Sequence, residues 1–325
     1  MNDWHKDCHI ANATRNYGVI RPLTIRNTLI FPPKLFPFNL LTMPTIKELL
    51  IEARSMLNGP DARLEAELLM DAICGVSRSH QFSHADEQLT EEKVERFTRA
   101  LQRRMSGEPM AYITGCRGFW DMELQVTPDV LIPRPDTECL VEQALERIPN
   151  DVNWQIADLG TGSGAIAIAI ARERPLCGIT ATDISPAALV VAKENALALD
   201  VKNISFVRGS WGQPLDKRCF EMILSNPPYI RADDPHLFEG DLAAEPGHAL
   251  VSGSDGLNAI RQIISDSTIY LKSNGWLILE HGYDQAAEMA DLLQHADYNG
   301  IFTHKDYGGN DRVTAGRRQN KEDEC

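Results

Sequence analysis

The chain has 325 residues, 43% of them hydrophobic and 24% charged, with a formal net charge of −14. These values describe a globular protein with a sizeable core and room for one large domain plus a small one. The negative balance argues against DNA or RNA as a bulk partner, since phosphate contacts need a basic face, and it suits a neutral or basic target.

Residues 1–42 read differently from the rest. Lys6, Arg15, Arg21, Arg26 and Lys34 outnumber Asp3 and Asp7, and no helical or strand period is sustained. The most apolar stretch there, Leu29 to Leu41, is cut by Pro32, Pro33 and Pro37 and lacks a small-residue cleavage site. No apolar run anywhere reaches the roughly 18 residues needed to cross a bilayer, so no membrane partner is expected. Seven cysteines run from Cys8 to Cys325 without a Cys-x-x-Cys pair. That usage favours a reducing, cytoplasmic location over a disulfide framework. Met43 is read as the functional start, with 1–42 a dispensable, disordered or non-native extension.

Thr45 with Glu48 three residues on predicts a capping box opening an amphipathic helix. Ile46, Leu49, Leu50, Ala53 and Leu57 mark its apolar face. Leu64, Leu68, Leu69, Ala72 and Ile73 mark a second helix, and Val94, Phe97 and Leu101 a third over Thr90–Met105. This gives a small helical domain over 43–110. His80 and His84 lie four apart, but no carboxylate or thiol set accompanies them. A solvated loop is the reading there, and no metal is expected. Tyr112 to Thr127 turns β-like, with Gly115 and Gly118 as turn residues, and predicts a hairpin linker over 111–130.

From residue 131 to 318 strands alternate with helices. Strands are expected at Trp154–Asp158, Gly178–Thr182, Ile204–Val207, Glu221–Leu224 and Trp276–Leu279. Helices are expected near Asp136–Arg147, Ala165–Arg174, Pro186–Leu199, Gly256–Leu271 and Gln285–His295. This alternation makes the fold class α/β, a doubly wound and mostly parallel sheet whose ligands sit at the strands' carboxyl ends. Residues 319–325 form a tail.

Asp158-Leu159-Gly160-Thr161-Gly162-Ser163-Gly164 closes the first of these strands and opens a helix. Alternating glycines let the backbone turn tightly and approach a ligand. The spacing alone fits a nicotinamide dinucleotide as well as S-adenosylmethionine. Asp183 ends the next strand, where a carboxylate accepts hydrogen bonds from ribose hydroxyls. Ser185-Pro186 already supplies the cap and first-turn residue of the following helix, so Asp183 is read as facing ligand. Trp211 is a candidate neighbour for the adenine.

Asn226-Pro227-Pro228-Tyr229 follows the apolar strand and decides the class. Two prolines cannot continue a central strand, and they remove two N–H donors. The result is a stiff, acceptor-rich corner in which the Asn226 side-chain oxygen and the Pro227 carbonyl can each accept a hydrogen from an incoming NH2 group. Tyr229 offers an aromatic wall to a planar substrate. Dehydrogenases lack this corner. It points to an S-adenosylmethionine-dependent methyltransferase acting on an amide or amine nitrogen, either a DNA N6-adenine or a protein glutamine enzyme. A base-flipping DNA enzyme usually carries a basic recognition region. Here Arg231 to Asp255 holds Asp233, Asp234, Glu239, Asp241, Glu245 and Asp255 instead, an acidic surface expected to steer a basic protein.

Over residues 45–318 the chain resembles the bacterial peptide chain release factor N5-glutamine methyltransferases of the HemK/PrmC type. The resemblance rests on Arg104 with Gly107-Glu108-Pro109, Gly118-Phe119-Trp120, and Leu131-Ile132-Pro133-Arg134-Pro135-Asp136-Thr137-Glu138. It continues through the glycine loop, Asp183, Asn226–Tyr229, Ala249-Leu250-Val251, Glu280-His281-Gly282, Asp306-Tyr307-Gly308 and Arg312-Val313. It implies a class I methyltransferase fold over 131–318, with the helical domain recognising substrate. It also implies methylation of N5 of the glutamine in the Gly-Gly-Gln motif of release factors one and two, with S-adenosyl-L-methionine as cofactor, S-adenosyl-L-homocysteine as product and no nucleic acid partner. By the same resemblance Gly160, Thr161, Gly162, Ser163, Gly164, Asp183, Trp211 and Asn226 contact the cofactor. Asn226, Pro227, Pro228 and Tyr229 bind the glutamine amide, with Asn226, Pro227 and Tyr229 catalytic. Arg134 joins them as substrate-binding, and Pro133 to Pro135 and Glu138 help to shape the cleft. Glu280 and His281 end a strand, where a cleft role and a structural one are both open.

Overall fold

A capping box opens the first helix, as Thr45 and Glu48 lead one to expect. Glu48 N–H donates to Thr45 Oγ1 at 3.3 Å, and Thr45 N–H donates to Glu48 Oε2 at 2.8 Å. The structure, a computed structural model, describes residues 43–57, 59–216 and 220–319. The expectations for 1–42 and for 320–325 of the tail lie outside them. Among the described residues no helix is long and apolar enough to cross a membrane.

Helices α1 (Ile46–Met56), α2 (Ala62–Cys74), α3 (Arg78–Ser83), α4 (Glu91–Met105) and α5 (Met110–Thr114) come first. The apolar face of α2 is not the expected one. Leu64, Leu68 and Ala72 are exposed, while Ala62, Ala66, Leu69, Met70 and Cys74 are buried. This helix carries apolar residues on two stripes, and packing against α1 and α4 selects one. His80 belongs to α3, not to a loop. Its ring stacks on His84 at 4.2 Å and its Nε2 meets Glu87 at 2.7 Å.

The hairpin is shorter than expected. Tyr112 sits in α5, whose turn is closed by Ile113 N–H donating to Pro109 O and Gly115 N–H to Ala111 O, with Gly115 as its left-handed cap; the Tyr112 hydroxyl donates to Val130 O at 2.7 Å. Strands β1 (Cys116–Phe119) and β2 (Met122–Gln125) pair antiparallel. Gly118 lies inside β1, and the turn falls on Trp120, whose φ is 56°.

The remaining α-helices and strands are α6 (Glu138–Leu145), β3 (Gln155–Leu159), α7 (Ala165–Glu173), β4 (Gly178–Asp183), α8 (Pro186–Ala198), β5 (Ile204–Arg208), β6 (Phe220–Ser225), α9 (Asn258–Tyr270), β7 (Leu271–Glu280), α10 (Ala286–His295), β8 (Tyr298–Lys305) and β9 (Asp311–Arg318). The seven-stranded sheet has the order β5-β4-β3-β6-β7-β9-β8. Strands β3 to β7 are parallel, and β9 runs antiparallel to β7 and β8. Each face is covered. Ile156, Met222, Leu224 and Ile278 pack under α6 and α7, while Leu159, Ile223, Leu277 and Leu279 pack under α9 and α10. Burial on both faces explains the unbroken apolar runs Met222–Leu224 of β6 and Trp276–Leu279 of β7. The chain winds outward from β3 to β5 and then returns to β6 on the other side of β3. That reversal opens a crevice at the carboxyl ends of β3 and β6.

Candidate active site

The ends of β3, β4, β6 and β7 place every principal candidate along one edge of the sheet. Gly160 and Thr161 N–H both donate to Thr182 O at 2.9 Å, which folds the loop after β3 over the end of β4. Gly160 has φ +74°, and a Cβ there would stand 3.1 Å from the Trp211 ring. Trp211 therefore packs against the loop, held by Thr182 Oγ1 donating to its carbonyl at 3.0 Å. Gly164 serves packing: its Cβ would fall 2.9 Å from Ile168 Cδ1 and 3.2 Å from Ala192 Cβ.

Asp183 fastens the loop from below. Its Oδ2 accepts from Gly162 N–H and its Oδ1 from Ser185 N–H, both at 2.9 Å. Ser185 is the helix cap and accepts from Ala188 N–H at 3.2 Å. Each Asp183 oxygen keeps a further lone pair for a ligand hydroxyl. Ser163 is buried, and its carbonyl accepts from Asn195 Nδ2 at 2.9 Å; the same side chain grips both backbone groups of Gln125. Asn195 thereby ties hairpin, α8 and loop together, a role its sequence context does not reveal.

Ser225 Oγ donates to Leu159 O at 2.6 Å and locks the end of β6 to the end of β3. Asn226 thus sits beside the glycine loop. Two lobes of a cleft meet there. The first is lined by Gly160, Thr161, Gly162, Ser163, Ala165, Ile166, Pro133, Thr137, Leu131, Arg134 and Asn226. The second is lined by Asn226, Pro227, Pro228, Tyr229, Ile230, Leu242, Ala249, Leu250, Leu131 and Arg134. Leu131, Arg134 and Asn226 belong to both. Gly164 and Asp183 brace the first lobe from outside its lining, and Trp211 covers Gly160. Pro135 and Glu138 are also off the lining; the Glu138 carboxylate accepts from Trp120 N–H at 2.9 Å.

The corner is braced from behind. Ile230 N–H donates to Leu250 O, and Ser252 N–H to Ile230 O, both at 2.9 Å. Gln285 Nε2 donates to Tyr229 O at 3.1 Å. Gly256, with φ +78°, presses against that carbonyl so closely that a Cβ would stand 2.2 Å from it. Asn226 Nδ2 donates to Thr137 Oγ1 at 3.0 Å, and the Tyr229 hydroxyl donates to Glu280 Oε1 at 3.2 Å. Arg134 is paired with Glu245, which also accepts from Ile132 N–H at 3.1 Å. The guanidinium is thereby held at the cleft boundary. His281 is buried with both ring nitrogens engaged, by Gly282 O and Thr314 Oγ1 at 2.8 Å each. Its place is structural; Glu280 lies directly behind the corner.

The acidic run is less open than its letters imply. Asp241 pairs with Arg104 at 3.1 Å, Asp255 with Arg261 at 2.7 Å and Asp234 with His236 at 2.7 Å, and Glu245 is buried. Asp233 and Glu239 remain exposed. The steering field expected from six carboxylates is correspondingly smaller.

Burial pushes the carboxyls of Asp158 and Glu280 each up to about 7. Asp158 Oδ2 accepts from Thr161 Oγ1 at 2.6 Å, but Asp158 Oδ1 and Glu280 Oε2 have no hydrogen-bond partner. A folded-state pKa above the unfolded one stabilises the fold fully at low pH, and the benefit fades as pH rises toward about 7. Glu280→Gln removes that dependence. Relative to wild type, the variant should gain on the order of 3 kcal/mol between about pH 5 and pH 8 in denaturant unfolding. A difference independent of pH would show that Glu280 ionises freely.

Comparison with known proteins agrees with this arrangement. Residues 48–115 match the PrmC N-terminal domain family, and residues 137–253 match the methyltransferase small domain family. The release factor glutamine methyltransferase of Coxiella burnetii is 48% identical over 256 residues, spanning 79% of this chain and 92% of the relative. That of Pseudomonas aeruginosa is 47% identical over 275 residues, spanning 85% and 99%. That of Escherichia coli K12 is 46% identical over 267 residues, spanning 82% and 96%. With a glycine-loop lobe joined at Asn226 to a proline-braced one, and identity of this extent, the chain belongs to the release factor glutamine methyltransferase family.

Proposed function

We propose that this chain transfers a methyl group from S-adenosylmethionine to N5 of the glutamine in the Gly-Gly-Gln motif of peptide chain release factors one and two. The observation that carries the reading is the place of Asn226, on the boundary between two lobes of one cleft. A transfer enzyme needs donor and acceptor side by side, and this residue borders both. The names of the relatives supply the substrate class.

The first lobe fits the cofactor. Gly160 lines it with bare backbone beside Trp211, and Asp183, bonded behind the loop, retains acceptor capacity for a ribose. Gly160 to Gly164, Asp183, Trp211 and Asn226 would hold it. Bound there, S-adenosylmethionine supplies an electrophilic sulfonium methyl, whose loss leaves the neutral thioether S-adenosylhomocysteine.

The chain's own residues handle the nucleophile. An amide nitrogen is weak because its lone pair is delocalised into the carbonyl. In this reading Asn226 Oδ1 and the Pro227 carbonyl each accept one hydrogen of the glutamine NH2. That fixes the nitrogen and pushes electron density onto it. Pro227 and Pro228 have no N–H to compete, and the Tyr229 ring walls the planar group. Preplaced acceptors also stabilise the positive charge that develops on nitrogen. No strong base is needed before attack; the proton departs afterwards. Arg134, held by Glu245, shapes the rim between the lobes. A release-factor substrate places the reaction in the cytoplasm.

The test incubates the enzyme with methyl-labelled cofactor and, separately, release factor one, release factor two and duplex DNA. The label should map to the Gly-Gly-Gln glutamine of both factors and vanish when that glutamine is alanine. Label on DNA, or on another residue, refutes the reading.

A further inference from the structure

We infer that Thr137 is a positioning residue for methyl transfer, orienting the Asn226 amide with its oxygen toward the cleft, and that Glu280 gives Thr137 the polarity to do so. The inference rests on the proposed chemistry of the corner. A primary amide carries an acceptor at one end and a donor at the other, and a half-turn about its last torsion exchanges them. A corner meant to receive an NH2 group works in only one of these states, and nothing in asparagine selects it.

Thr137 selects it only with help. Asn226 Nδ2 donates to Thr137 Oγ1 at 3.0 Å, so Oδ1 is the end left for the cleft that Asn226 borders. A hydroxyl both gives and takes, however, and would equally donate to a flipped amide oxygen. Glu280 removes that ambiguity. It is 0% exposed, Oε1 accepts from the Tyr229 hydroxyl at 3.2 Å, and Oε2 has no partner. The Thr137 hydroxyl is near enough to favour the carboxylate, together with Arg312 and Tyr229 and against Asp136. Above about pH 7, where the group is ionised and kcat is to be compared, a carboxylate only accepts. In that state the unpaired Oε2 is the acceptor open to the Thr137 proton, which leaves only lone pairs for Asn226. The relay runs one way, Asn226 to Thr137 to Glu280, while Tyr229 donates to the same carboxylate. One buried acid thus orders both the acceptor and the aromatic wall of the corner.

The test uses full-length Thr137→Val, which keeps shape but loses the hydroxyl, with Thr137→Ser and Glu280→Gln. Methylation of release factor is followed as kcat and KM, with cofactor binding measured separately. Thr137→Val should lower kcat about ten- to hundredfold with cofactor affinity within about threefold, and Thr137→Ser should recover most of the rate. Glu280→Gln, whose amide can donate to Thr137, should lower kcat in the same direction. Independently of substrate, the Asn226 side-chain NH2 should be slow to exchange with solvent by NMR in wild type and Thr137→Ser, and fast in Thr137→Val. Its resonances are assigned by their loss in Asn226→Ser. An unchanged kcat in Thr137→Val, equal loss of kcat and cofactor binding, or exchange indifferent to Thr137 overturns the inference. If wild type methylates neither release factor, the functional reading fails, and the Asn226 exchange rates still decide the role of Thr137.

Discussion

Asn226→Ala should lower kcat for release-factor methylation by on the order of 2 to 4 kcal/mol of transition-state stabilisation, while the affinity for cofactor falls much less. The side chain borders both lobes of the cleft, and its backbone is held by the Ser225–Leu159 bond and the prolines that follow. Truncation at Cβ therefore removes the amide without collapsing the corner. What disappears is one oriented acceptor, whose benefit is greatest when the substrate nitrogen carries positive charge. The glycine loop, Asp183 and Trp211 remain, so the first lobe should still take its ligand. Single-turnover methylation with cofactor affinity measured by calorimetry makes the comparison. Equal losses in the two quantities would mean that Asn226 only supports the fold.

Gly256→Ala should cost the fold roughly 3 to 5 kcal/mol, the sum of a left-handed backbone and a steric clash. At φ +78° an alanine is strained whatever the space around it. Here the space is also taken. The added Cβ would stand 2.2 Å from Tyr229 O and 2.7 Å from Gln285 Nε2. Relief requires moving the Tyr229 carbonyl and breaking its bond to Gln285, which displaces the corner itself. Activity should therefore be lost even where the variant remains folded. Gly309→Ala is the control. Its φ is +84°, nothing lies within 4 Å of the added Cβ, and only the backbone cost of about 1 to 2 kcal/mol should appear. Denaturant unfolding of the two variants separates the terms. Equal destabilisation would show that the contact with Tyr229 is unimportant.

The elements that were legible in the sequence are those set by local rules. The capping box at Thr45, the Ser185-Pro186 helix start, the alternating glycines and the double proline act within a few residues of themselves. Strands β6 and β7 carry unbroken apolar runs because both faces are covered, so they stand out. Strands β8 and β9 do not stand out in the sequence. Their letters, Tyr-Asn-Gly-Ile-Phe-Thr-His-Lys and Asp-Arg-Val-Thr-Ala-Gly-Arg-Arg, carry no clean period. β9 is a strand because β7 offers it a ladder, and strand preference depends on such neighbours.

The reach of the charges was illegible too. Asp241 finds Arg104 137 residues away, and Glu245 finds Arg134 at a separation of 111. No local rule connects them, so the acidic run read as an open field. The same holds for α2, where Leu64 and Leu68 offered as plausible an inner face as Ala62 and Ala66 until α1 and α4 were packed against it.

By itself, then, the sequence determined which chemistry-bearing segments exist and which end of a strand each occupies: the Gly160–Gly164 turn, Asp183 and the Asn226–Tyr229 corner. Only the tertiary structure decided that these segments share one cleft with Asn226 on its dividing line. It alone placed Thr137 beside Asn226 on the first lobe's wall, and Glu280, Gly256 and Gln285 behind the corner. The physical reason is range. Turns, caps and proline constraints are energies of neighbouring residues, whereas a buried polar contact is chosen by whichever distant group the fold brings within about 3 Å.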